Sequence, residues 1–162
     1  MRFEKCLAMA IVLLFLHSSF TQSQTVVRAE QQQAPESAAF STLEREAEAG
    51  DASAQNRLGN VYVDGSDAPR DYKEAARWYS AAAAQGSANA QFMLGFLLNN
   101  GIGVPQDYTE AAKQYRAAAE QGHIIAQNNL AALYQHGRGV RKDMRQAMEW
   151  YRASAERGNI IA

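Results

Sequence analysis

Three stretches of the chain have the residue types that ligand chemistry uses. They are "GIGVPQDYTEAA" from Gly101 to Ala112, "GRGVRKDMRQAM" from Gly137 to Met148, and the looser "GSDAPRDYKEAA" from Gly65 to Ala76. A glycine-bracketed turn followed by an aspartate can cradle a phosphate, hold calcium or join two helices. A phosphate loop needs a Lys-Ser or Lys-Thr pair after its glycines, and none is present. A calcium loop alternates oxygen ligands through about 12 residues to a closing glutamate, whereas here a single aspartate stands before a helical pattern. The spacing instead reads as capping: Asp71 is followed by Glu74, Asp107 by Glu110 and Asp143 by Gln146. The aspartate accepts from the free N–H groups of the first turn and the Glu or Gln reaches back to the cap. Such a cap contributes about 1 kcal/mol. Asp71, Asp107 and Asp143 are therefore expected to be helix caps, and Gly65, Gly101, Gly103, Gly137 and Gly139 to be turn residues.

Other chemistry is sparse. His123 and His136 lack the spacing of a zinc pair, and no nucleophile, base and orienting group can be assembled. His123 occupies the slot of Asp51, Ser87 and Asn159 and is expected to cap the next helix, while His136 falls near a helix end, where the dipole favours a cation. No catalytic residue, metal site or cofactor is expected.

The elements that position these turns repeat. Gly50–Gln85, Gly86–Gln121 and Gly122–Arg157 align without gaps as 36-residue repeats, and residues 158–162 open a fourth. In each repeat two helical stripes appear, such as Ala90, Leu94, Leu97 and Leu98, then Ala111, Tyr115, Ala118 and Ala119. Gly86, Gly122 and Gly158 follow the second helix, where a left-handed residue stops it. Helices this short cannot bury an apolar face alone, so each repeat must stack on its neighbours. Residues 38–49 align with a second helix and are expected to form an N-terminal capping helix with Glu44, Arg45, Glu46 and Glu48 outward. Asp67-Ala68 replaces the Gly-Val of Gly103-Val104 and Gly139-Val140, so a wider first turn is expected.

The bulk numbers bound the rest. Of 162 residues 47% are apolar and the net charge is −1, a balance that points away from nucleic acid. Arg2 and Lys5 precede an apolar run from Cys6 to Leu16 and then "HSSFTQSQ", the order of a secretory signal peptide. The run is short of the about 20 residues that span a bilayer, so no membrane insertion is expected after cleavage. Cleavage is placed after Ser23, with Ala29 as the alternative, giving a signal peptide over 1–23 and a Gln/Ala-rich linker over 24–37. Loss of two basic and one acidic residue then moves the charge from −1 to −2, and Cys6, the only cysteine, goes too. The mature chain is expected to be exported, periplasmic or secreted, without disulfides.

The motifs A-Q-x-x-L-G, G-x-G-V, D-x-x-x-A and W-Y-x-x-A-A-x-Q-G closely resemble the Sel-one-like repeats of the tetratricopeptide class, over Gly50 to Ala162. That resemblance implies an all-α, right-handed α-solenoid of antiparallel helix pairs, with three complete repeats and a capping helix, acting as an adaptor for other proteins. It also implies that the first helices line a concave groove. The inward residues would include Asn56, Asn60, Asn89, Phe92, Phe96, Asn99, Asn100, Ile125, Asn128 and Gln135. Carboxamides both donate and accept, which suits a protein or peptide backbone or a glycan. Phe92 and Phe96, four apart, form either an aromatic floor or core between repeats. The asparagines serve either a ligand or a plain solvated face.

The first expectation is a non-catalytic adaptor gripping a peptide or protein segment. A binder of cell-wall glycan, or a regulator of cell-wall enzymes, needs the same groove. A penicillin-binding or penicillin-hydrolysing enzyme is a remote third, because the exported subgroup linked to penicillin carries paired cysteines that this chain lacks. Ile125 and Ile161 stand where earlier repeats have Ser53 and Asn89. A short final repeat would expose an apolar face, fitting either a shortened family member or self-association or partner docking through the C-terminal end.

Overall fold

The structure, a computed structural model, describes residues 38–158. The expected signal peptide, the linker, Cys6 and residues 159–162 lie outside the described residues. The chain divides into two compact bodies, residues 1–41 and 42–162. In the first, the described residues 38–41 are helical, and the Ser41 hydroxyl donates to the Ala38 carbonyl at 3.0 Å.

The second body is all-α among its described residues. Helix α1 covers residues 42–48, followed by α2 (Ala52–Asp64), α3 (Tyr72–Ala84), α4 (Ala88–Asn100), α5 (Tyr108–Glu120), α6 (Ile124–His136) and α7 (Met144–Glu156). They form antiparallel pairs in a solenoid, each helix packing chiefly on its neighbours in sequence.

The core lies between repeats as much as within them. Ala75, Tyr79 and Ala82 of α3 pack with Ala90, Leu94 and Leu97 of α4. Ala111, Tyr115 and Ala118 of α5 pack in the same way with Ala126, Leu130 and Leu133 of α6. Small residues let the helices approach: a Cβ on Gly59 would stand 2.6 Å from the Tyr79 ring, and one on Gly95 2.9 Å from Tyr115.

A glutamine ladder adds polar stitching at each joint. The side-chain amides of Gln55, Gln91 and Gln127 donate to the carbonyls of Ala47, Ala83 and Ala119 at 3.0, 3.3 and 3.0 Å. Each reaches from a first helix back to the helix before it. Gln85 and Gln121 then donate to the Oε1 atoms of Gln55 and Gln91, both at 2.8 Å. The next rung has Arg157 in place of a glutamine, and the buried Gln127 Oε1 has no partner. These bonds tie the backbone of one repeat to a side chain of the next, and a buried amide left unpaired costs about 1–3 kcal/mol.

The turns are hinges with caps. Asp71 Oδ1 accepts from the N–H groups of Lys73 (2.9 Å) and Glu74 (3.1 Å), and Asp107 and Asp143 do the same for α5 and α7. The reciprocal half of the expected capping box is not formed. Glu74 pairs with Arg77, Glu110 with Lys113 and Gln114, and Gln146 with Glu149. The reason is local: the cap N–H groups are already used, donating to Tyr62, Leu98 and Tyr134 carbonyls at 2.9–3.0 Å to close the turns. That closure also corrects the expectation of a wider first turn, which has the same length as the others and the same closing bond. Its difference is smaller: the bonds from Ile102 to Leu97 and from Arg138 to Leu133 have no counterpart in the first turn.

Gly103 and Gly139 do more than turn the chain. Both have positive φ, 71° and 65°, and a Cβ on either would strike the backbone of Tyr72 or Tyr108 at 2.5 or 2.0 Å. These glycines seat each turn on the start of the preceding second helix. Asp67, at the corresponding place in the first turn, has no positive φ.

Candidate interaction surface

The first helices α2, α4 and α6 carry the polar residues singled out from sequence, and two hollows open along them. One, of about 240 Å³, is lined by Asn56, Asn60, Asn89, Phe92, Met93, His123 and Ile125. The other, of about 200 Å³, is lined by Phe96, Asn99, Asn100, Tyr115, Asn129, Ala132, Leu133, His136 and Arg138. Eight of the ten expected groove residues therefore line one hollow or the other. Gln135 and Asn128 do not: Gln135 accepts from the Tyr151 hydroxyl at 2.8 Å, and Asn128 is half-buried with an unpartnered Oδ1.

The two phenylalanines part company. Phe92 is half-buried, packs against the α5–α6 core and stacks on His123, with ring centroids 4.5 Å apart. Phe96, one turn on, is 40% exposed. Phe96 is thus presented to solvent at the wall of a hollow, while Phe92 is shared between hollow and core. Ile125 is 52% exposed.

Several amides are held in place by neighbours. Asn60 accepts from the Tyr79 hydroxyl at 2.7 Å, and Tyr115 hydrogen-bonds Asn129. Burial pushes the Tyr115 phenol up to about 12, and that of Tyr79 higher still. Both hydroxyls stay protonated, and that of Tyr79 donates to the Asn60 amide and orients it. Asn100 donates to the Phe96 backbone carbonyl at 2.8 Å, and the Asn99 amide donates to Asn100 Oδ1 at 3.3 Å. Asn56, which lines the first hollow, keeps a buried Oδ1 with no partner.

His123 performs the expected cap, its Nδ1 accepting from the Ala126 N–H at 3.2 Å. Burial holds its imidazole below the ordinary value, which keeps the nitrogen able to accept. Among the described residues no group of three His, Cys, Asp or Glu side chains is placed to hold a metal ion. No described helix is long and apolar enough to cross a membrane.

Sequence reasoning missed Met93, Asn129 and Arg138. Met93 lies four residues after Asn89 and Asn129 four after Ile125, the spacing that returns a side chain to the same helix face. Arg138 lies in a turn read only as a hinge.

Comparison with known proteins agrees with this geometry. The Sel1 repeat matches three consecutive segments, residues 52–87, 88–123 and 124–159. A protective antigen of uropathogenic Escherichia coli strains, with an SLR fold, is similar at 39% identity over 78% of this chain, with a TM-score of 0.75. The chain spans only 27% of that protein's length. A Sel1 repeat protein from Oxalobacter formigenes is 38% identical over 74% of this chain and 90% of its own, with a TM-score of 0.68. The cysteine-rich protein B of Helicobacter pylori covers 80% of this chain and 92% of its own at 20% identity, with a TM-score of 0.61, a likeness of fold alone. No protein with a curated description matches the chain.

Proposed function

The chain belongs to the Sel1-repeat family, and from that premise we propose that it is an exported, non-catalytic adaptor that grips a segment of another protein along its first-helix face. The observation that carries the reading is the pair of hollows on α2, α4 and α6, walled by carboxamides and by an exposed Phe96. Amides can bond both the N–H and the C=O groups of an extended backbone, and an exposed aromatic gives such a segment an apolar anchor. The basic-apolar-polar order of the first 23 residues supports export.

The test uses Phe96→Ala combined with Asn99→Ala, since neither side chain is buried. Proteins captured from the exported fraction by the wild type are expected to be lost with the double variant, while its thermal midpoint moves by less than about 3 °C. Equal capture by both forms sinks the groove reading. Sedimentation with purified cell wall, lost in the same variant while protein capture is not, would turn the assignment to the glycan reading.

A further inference from the structure

The rims of the three turns carry different charge. The first has Asp64, Asp67 and Asp71 against Arg70; the second has Asp107 alone; the third has Arg138, Arg141 and Lys142 against Asp143. The aspartates at 71, 107 and 143 are engaged as caps. Counting these caps, which keep their charge, the first turn has net −2, the second −1 and the third +2. All of Asp64, Asp67, Arg138, Arg141 and Lys142 are exposed. Neither hollow is lined by a carboxylate, although the whole chain carries 17 of them.

Resting on the groove reading above, we propose that the segment seated there is acidic, with its carboxylate placed at the third-repeat end against Arg138. Arg138 lines the same hollow as Phe96, with its guanidinium 5.7 Å from the Tyr108 ring centroid. A guanidinium so placed offers paired N–H donors that match a carboxylate, and the amides of Asn99 and Asn129 can donate beside it. At the opposite end Asp64 and Asp67 repel a carboxylate. The rim therefore sets the direction in which a polar segment lies as well as its composition.

A phage-displayed library of random dodecapeptides, selected on the full chain, tests this whatever the natural partner is. Enriched peptides should carry Asp or Glu clustered toward one end. A synthetic peptide of the consensus should bind about tenfold more weakly when its acids are changed to Asn and Gln, and the preference should fade at 0.5 M salt, roughly the regime of a Debye length below 5 Å. Selection on Arg138→Gln with Arg141→Gln should still yield binders, now without the acidic bias. An acid-free consensus from the wild type, unchanged in the Arg variant but lost with Phe96→Ala, overturns the acidic assignment and leaves the groove standing. Binders indifferent to Phe96→Ala, or no enriched binder at all, overturn the groove and the acidic assignment together.

Discussion

Gly59→Ala sets two known effects against each other. Glycine inside a helix is less favourable than alanine by about 1 kcal/mol, so at an ordinary mid-helix site the change would stabilise. Gly59 is not such a site. Its Cβ would lie 2.6, 2.7 and 2.9 Å from three atoms of the Tyr79 ring, and that ring is fully buried. Tyr79 cannot slide away freely, because its hydroxyl is fixed on Asn60 at 2.7 Å. Overpacking of this kind costs about 1–3 kcal/mol, so the net expectation is a loss of about 1 kcal/mol. Gly95→Ala, with a nearest approach of 2.9 Å, should cost less. In the third repeat Ala131 fills the same slot and is fully buried, and Tyr151 bonds Gln135. The reverse change there, Ala131→Gly, removes helix propensity and a packed methyl and should also cost about 1 kcal/mol. Opposite substitutions at corresponding sites would both destabilise. Urea unfolding followed by circular dichroism reads this as a lowered midpoint for both, with the slope unchanged. A higher midpoint for Gly59→Ala would refute the argument, because propensity alone would then decide.

Three further outcomes follow from the same contacts. Arg157→Gln supplies the missing ladder partner for the buried Gln127 Oε1 and should raise stability by about 1 kcal/mol in urea unfolding. Gly139→Ala, whose Cβ would meet the Tyr108 carbonyl at 2.0 Å, should cost several times more than Gly65→Ala, which has nothing nearer than 3.4 Å and bears only the about 1 kcal/mol of left-handed strain. For His123 the folded pKa lies below the ordinary 6.5, so its contribution is intact above pH 6.5 and is lost as pH falls toward the folded value. Unfolding midpoints between pH 7.5 and 5 should therefore fall more steeply in the wild type than in His123→Ser, a residue that already caps α4 as Ser87.

The helix pairs were legible because their signals are local and recur: the apolar stripe, the D-x-x-E/Q spacing and the stopping glycine all lie within one repeat. The glutamine ladder was not, since Gln55 and Gln85 meet across 30 residues and only stacking reveals why both are glutamine. The capping box failed for a related reason. Its spacing is correct, but the turn closure through Tyr62, Leu98 and Tyr134 competes for the cap N–H, and that partner is remote from the motif. On the first-helix face periodicity identified the stripe but could not tell Phe92 from Phe96. That distinction depends on His123, which belongs to the next repeat and stacks on Phe92 alone.

Three copies of one scaffold also provide a control for assigning roles. A residue that packing requires must recur, because each joint has the same geometry. Gln55, Gln91 and Gln127 recur and bond backbone carbonyls; Leu58, Leu94 and Leu130 recur and are buried. The position of Phe96 does not recur: it is Asn60 in the first repeat and Ala132 in the third, all three lining hollows. A slot that accepts asparagine, phenylalanine and alanine imposes no packing demand for an aromatic ring. The slots of His136 and Arg138 behave likewise, being Asp64 and Ser66 in the first repeat and Asn100 and Ile102 in the second. An exposed aromatic costs solubility and an uncompensated charge gradient adds nothing to folding. Variation along the lining of these two hollows suits a binding surface, because each repeat then presents a different chemistry from a recurring frame.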